Sequence, residues 1–331
     1  MTNVPEDTPL IALKRGELVE SVHRGRFVVC DPQGDVLEAA GNVEAYFYPR
    51  SALKPFQAMP LVLSGAADEF GLSDEELAVA CASHGGEERH VEAVSSLLHK
   101  AGLSEDDLDN GAHPPMHGPS AEALVQRGES FRQIHGNCSG KHAGMVAVCV
   151  CKRWDMSGYR APDHPLQRWV LSLVATVCDL KAEEIITGGD GCGAPAFAMP
   201  VKNFATGFAR LATGEELPED IAGAASRLRL AMRNHPSMIA GTGRFDTEVL
   251  EKTDLIVKGG ADGVWAAGSE EGWGLALKVS DGARRAARSA ATAVLRGRGI
   301  DLESEDGFPV RDLHGEEVGE MVSLSVSADS G

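Results

Sequence analysis

Two hydrophobic periodicities occur in this chain in a fixed order, and that order limits the folds open to it. Strand-like runs stand at the beginning and the end, and runs of helical period fill the middle. SVHRGRFVVC and GDVLEAAG, within residues 18–40, predict a hairpin closed by the turn Asp31-Pro32-Gln33-Gly34. Further short strands are predicted at 184–188, 254–259, 262–267 and 273–279. Helices are predicted at 51–64, 87–101, 139–153, 165–179, 203–212, 218–234 and 282–297, and a Ser73–Glu76 capping box opens another. Residues 103–137 read as loop, broken by HPPMHGPS. The two chain ends can then build one antiparallel sheet, with the middle as a helical lobe. The expectation is an α/β (α+β) protein, one unit spanning 1–331. Its sheet lobe comes from about 10–50 and 250–325, and its helical lobe from about 51–250. The acid-rich tail beyond 300 is expected as a partly ordered edge.

Composition narrows the class. Of 331 residues, 43% are hydrophobic and 24% charged, enough for a packed core and a poor match to disorder or coiled coil. No apolar run approaches the roughly 20 residues of a membrane helix. Lys plus Arg is 31 against 49 for Asp plus Glu, and a net charge of −18 repels phosphate backbones, so no nucleic-acid partner is expected. The first twenty residues lack a basic start followed by an apolar stretch, so no secretory signal is read. Seven cysteines, an odd number with several in apolar runs, point to reduced thiols and a cytoplasmic location. A homodimer is the expected assembly.

Four segments and one strand could carry chemistry. In Tyr48-Pro49-Arg50-Ser51-Ala52-Leu53-Lys54-Pro55, a helix starting at Ser51 puts Lys54 on the same face. A lysine with a depressed pKa can take the proton of a serine hydroxyl. Arg50 offers a forked donor for a carboxylate. The plainer reading is a serine cap beside a solvated lysine. Cys81-Ala82-Ser83-His84-Gly85-Gly86 supplies a second hydroxyl, Ser83, and a glycine pair at Gly85 where backbone can approach a ligand; a glycine C-cap is the alternative. HGNCSGKHAGM, residues 135–145, crowds Cys138, Lys141 and His142 at the mouth of an apolar helix. TGGDGCGAP, residues 187–195, presents Asp190 and Cys192 among four glycines after a strand. Cys138 and Cys192 are candidate zinc ligands, with His135 and His142 as further candidates, or else two thiols that never meet. Leu255-Ile256-Val257-Lys258-Gly259-Gly260 delivers Lys258 from a strand, as an active-site wall or as an edge lysine.

Together YPRSALKPFQ, ASHGGEERHV, HGNCSGKHAGM, GGDGCGAP and VKGGADGV resemble the rhizobial-type (type 3) L-asparaginase II family, in family order over nearly the whole chain. The resemblance implies a fold similar to serine β-lactamases and serine-dependent glutaminases. It implies two serine–lysine pairs, Ser51 with Lys54 and Ser83 with Lys258. It implies one zinc ion on Cys138, Lys141 and Cys192, and Arg50, His142, Asp190 and Gly85 around the substrate. A lysine ligand must lose its proton to the ion, as a nearby double positive charge allows.

The activity expected on this basis is hydrolysis of L-asparagine to L-aspartate and ammonia through an acyl-enzyme. Ser51 is the preferred nucleophile, Lys54 its base, and Ser83 with Lys258 a route for returning the proton. Four cations in one pocket, Arg50, Lys54, Lys141 and Lys258, are expected to depress one another's pKa. The alternatives are an L-glutaminase, another amidohydrolase of the penicillin-recognising type, and a zinc-stabilised binding protein without catalysis.

Overall fold

The computed structural model describes residues 5–302 and 308–324. The expected sheet–helix–sheet order is what forms. The first fifty residues give β1 (Thr8–Arg15), β2 (Leu18–Cys30), β3 (Val36–Ala40) and β4 (Tyr46–Phe47). The middle contributes only β5 (Ile186–Gly189) and β6 (Pro195–Pro200). The last part gives β7 (Ile256–Gly259), β8 (Val264–Ser269), β9 (Trp273–Val279), β10 (Phe308–Arg311) and β11 (Glu317–Ser323). The large sheet runs β10-β11-β1-β2-β9-β8-β7, with β3 also paired to β2. Every pairing in it is antiparallel, and strands from the two chain ends meet at β2–β9 and at β1–β11. A separate small sheet, β4-β6-β5, takes the strand predicted at 184–188.

β8 and β9 are buried along almost their whole length, as strands covered on both faces are. The helices Val201–Thr213 and Arg284–Gly297 pack on them. Phe204 and Phe208 of the first helix meet Phe56 edge-to-face, which ties the sheet to the helical lobe. At the centre of that lobe Lys54–Leu63 packs against Ser139–Lys152, Pro165–Val177 and Glu219–Asn234.

Two glycines set the approach of the segments that matter later. A Cβ on Gly140 would collide with the Val79 carbonyl, so the helix Ser139–Lys152 can lie directly against Asp74–Ala80. A Cβ on Gly260 would collide with the Pro49 carbonyl, so the end of β7 reaches the turn before Arg50.

Local expectations divide by mechanism. The hairpin turn is as read: the Gly34 amide donates to the Asp31 carbonyl, and Gly34 has φ +91°. The Ser73–Glu76 box caps Asp74–Ala80 reciprocally. The helix predicted from Ser51 instead opens as a tight 3₁₀ turn, Arg50–Leu53, before the α-helix Lys54–Leu63 with Pro55 in its first turn. The segment read as loop holds the helix Gly118–Gln126, whose single buried side chain, Leu124, leaves little periodicity to detect. The strand β6 has prolines at both ends, which argue against a strand on sequence grounds. Beyond 300 the described residues form the edge strand β10 and β11, which lies between β10 and β1, while 303–307 and 325–331 lie outside the described residues.

Candidate active site

The five segments converge where the sheet meets the helical lobe. Lys54 is wholly buried at the start of its helix. Its Nζ lies 2.6 Å from the Ala82 carbonyl, 3.0 Å from the Asn137 carbonyl and 2.8 Å from Ser83 Oγ. Two of these partners can only accept. A neutral amine gives its two N–H bonds to the carbonyls and turns its lone pair to the one partner with a proton to give, the Ser83 hydroxyl. Burial pulls the Lys54 pKa down to about 8; Lys141 and Lys258 pull the same way, against the Cys138 sulfur.

This pairing differs from the expected one. Lys54 is the partner of Ser83, on the loop after Asp74–Ala80, and Ser51 Oγ has no hydrogen-bond partner among the described residues. The Lys54 amine is drawn instead to the Ala82 and Asn137 carbonyls on either side of Ser83, while Ser51, in the turn Arg50–Leu53, lines the cavity. Lys258 is not bonded to Ser83 either. Its Nζ donates to the Gly259 carbonyl at 2.9 Å and to Asp246 Oδ2 at 3.4 Å. Asp246 also accepts from the Gly259 amide and the Trp265 indole. Burial lowers the Lys258 pKa, and Asp246 opposes it.

Ser51, Ser83, Asn137, Asp246 and Lys258 line one cavity of about 430 Å³. Gly85 does not; it packs beside His117 and accepts from the His117 amide. Arg50 adopts φ +54°, an uncommon conformation for a non-glycine residue. Its fork is already engaged, with Nε 2.8 Å from Asp190 Oδ1 and Nη1 2.7 Å from Asp262 Oδ2. It therefore fastens three motifs together, rather than standing free for a carboxylate. His142 is buried, with Nδ1 2.7 Å from the Tyr159 hydroxyl and no partner at Nε2.

Cys138 and Cys192 do meet. They form a small buried cluster with Ala194, and Lys141 Nζ lies 3.1 Å from Cys192 Sγ. Their shared hydrogen bond, with Lys54 and Lys141 nearby, holds Cys138 well below the usual thiol range and Cys192 above it. The Lys141 amine is raised, not depressed as expected, because the two sulfurs and Asp190 outweigh its burial. Arg50 is likewise raised, its carboxylate partners outweighing burial. Mutual repulsion thus acts on Lys54, where no carboxylate intervenes. All seven cysteines are free. Among the described residues no three His, Cys, Asp or Glu side chains gather as a metal site, so any ion here needs the Lys141 amine. Two sulfurs and an amine suit zinc in donor chemistry.

Sequence reasoning missed Asp246, Asp262 and Tyr159. Asp246 sits in the unforeseen helix Phe245–Lys252, and its contacts with Lys258, Gly259 and Trp265 mark it.

Comparison with known families places the chain among the amidohydrolases. More particularly, residues 11–322 match the L-asparaginase II family model, and the chain belongs to that family. Among solved structures it is similar to Mglu in its native form, at 15% identity and a TM-score of 0.41, covering 86% of this chain and 66% of that one. The chain thus spans just under two thirds of the Mglu chain. It is also similar to a β-lactamase from Mycobacterium bovis, at 12% identity and a TM-score of 0.43, covering 83% and 95%. No curated protein matches.

Proposed function

We propose that this amidohydrolase converts L-asparagine to L-aspartate and ammonia through a seryl acyl-enzyme. The observation that carries the reading is the buried Lys54 amine, anchored by two carbonyls with its third direction on Ser83 Oγ. In that geometry Lys54 takes the Ser83 proton as the oxygen attacks the side-chain amide carbon. The C–N bond breaks, and the proton passes to the departing ammonia. Water then enters and gives a proton to Lys54 as its oxygen attacks the acyl carbon; the bond to Ser83 Oγ breaks, Lys54 returns the proton to Ser83, and aspartate leaves. Lys258 lines the same cavity with one N–H beyond its two acceptors, which suits it to stabilise the negative oxygen that forms on the carbonyl. Ser51, on the same wall, is the alternative nucleophile.

Cys138, Lys141 and Cys192 would hold one zinc ion, which when bound supplies positive charge beside the site. Asp190, held below the usual carboxylate range by Lys141, the Gly191 amide and Arg50 against its burial, would orient the Lys141 ligand.

Ammonia release from L-asparagine and L-glutamine, by the wild type, Ser83→Ala and Ser51→Ala, tests the reading. Asparagine should be the better substrate. Ser83→Ala should lose turnover by at least about 10³-fold while keeping its zinc. An acyl label trapped on Ser51 would transfer the nucleophile's role. Absence of ammonia from either amide in the zinc-loaded wild type would end the proposal.

A further inference from the structure

The catalytic cavity carries more positive charge than the hydrolysis uses. Its wall holds Lys258, Arg244, Arg284, Arg285 and Arg288 against one carboxylate, Asp246. Five cations less one acid leave an excess of four, in a chain whose net charge is −18. Asp246 is itself engaged by Lys258, Gly259 and Trp265.

The four arginines differ in their partners. Arg288 pairs with Glu248 at 3.0 Å and lies over the rings of Phe245 and Phe308. Arg285 donates Nε to His23 Nε2, and His23 Nδ1 lies 2.6 Å from Asp281. Arg244 and Arg284 have no side-chain hydrogen bond or ion pair among the described residues. Arg284 opens the helix Arg284–Gly297, which has no acid in its first turn to offset it. Arg284 is exposed and Arg244 half-buried, so the cavity presents two guanidiniums, unpaired among the described residues, that an anion can meet. Arg50 is engaged by Asp190 and Asp262. The cavity, at about 430 Å³, falls in the range of about 300–1,000 Å³ that receives ligands larger than one amino acid.

We propose that Arg244 and Arg284 form a carboxylate-binding subsite of this cavity, so that the substrates are amides carrying a carboxylate. The carboxylate is either the α-carboxylate of asparagine or one on the released amine, as in a β-aspartyl dipeptide. In both cases water replaces the amine on the acyl carbon and the amine leaves with the proton. The turnover arm of the test rests on the hydrolase reading, and the binding arm does not.

Full-length, zinc-loaded Arg244→Gln and Arg284→Gln, with the Lys variant of each, are compared with wild type. L-Aspartate binding is measured by titration calorimetry. KM and kcat are measured for L-asparagine, its α-carboxamide and β-aspartylglycine. Loss of a charged hydrogen bond should weaken L-aspartate binding and raise KM for L-asparagine by about tenfold or more, with kcat nearly unchanged and partial rescue by lysine. In wild type the α-carboxamide should be as poor as L-asparagine is in Arg244→Gln. A penalty confined to β-aspartylglycine places the carboxylate on the released amine and still supports the subsite. Wild-type aspartate binding and wild-type KM for all three substrates in both folded glutamine variants would overturn it. Arginine-dependent aspartate binding in a wild type that releases no ammonia would end the hydrolase reading and leave the subsite standing.

Discussion

Lys54 shows how a single side chain can be tuned without a neighbouring carboxylate. Its burial and two lysines bring it to about 8 from an ordinary 10.5. A base must be neutral to work, and a lowered lysine pKa means the neutral fraction grows as pH rises. Turnover should therefore climb through about pH 8 and level off above it, and Lys54→Arg, which stays charged, should be inactive across the range. A flat profile between pH 6 and 9 in stopped ammonia assays would count against Lys54 as base. The residue types of the site were legible in the sequence: Ser51, Lys54, Ser83, Cys138, Lys141, Cys192 and Lys258 all come together. Their pairing was not, because the groups that hold the Lys54 amine, on Ala82, Ser83 and Asn137, lie 28, 29 and 83 residues away. The surroundings of Arg50 and Gly85 were not legible either. Whether a guanidinium stands free depends on Asp190 and Asp262, which lie 140 and 212 residues away.

Among elements, strongly periodic helices and the hairpin were readable, and elements defined by contact alone were not. β1 joins β2 through the two-residue turn Gly16-Glu17, with Gly16 at φ +58°, and β6 is fixed by its neighbours β4 and β5. The helix Ser139–Lys152, by contrast, announced itself through its apolar run, and Gly140 records how it is seated. Alanine in place of Gly140 would gain at most about 1 kcal/mol of helix propensity. Its methyl would drive into the Val79 carbonyl, and overpacking of that kind costs about 1–3 kcal/mol. Gly140→Ala should therefore lower the midpoint of urea unfolding. A midpoint at or above wild type would show that the two helices can separate freely. The same substitution should displace Cys138 and Lys141 and so reduce bound zinc.

At the scale of the molecule, the sites converge because the two chain ends share one sheet, which the order of periodicities made legible before any contact was known. Among the described residues no helix is long and apolar enough to cross a membrane. The proposed zinc ion would join residues 138–141 to residue 192, parts otherwise linked by packing and by hydrogen bonds to the Cys192 sulfur. Binding to the folded state alone stabilises it, by about 2.7 kcal/mol when the free ion is a hundredfold above its dissociation constant. Chelation should lower the melting temperature and added zinc should restore it; in Cys192→Ala neither treatment should move the transition. The sheet carries a consequence for biosynthesis as well. The hairpin β1–β2 leaves the ribosome well before its flanking partners, β9 and β11, which are encoded some 250 and 300 codons later. Over that interval the hairpin has two unzipped borders, each a template for pairing with another chain.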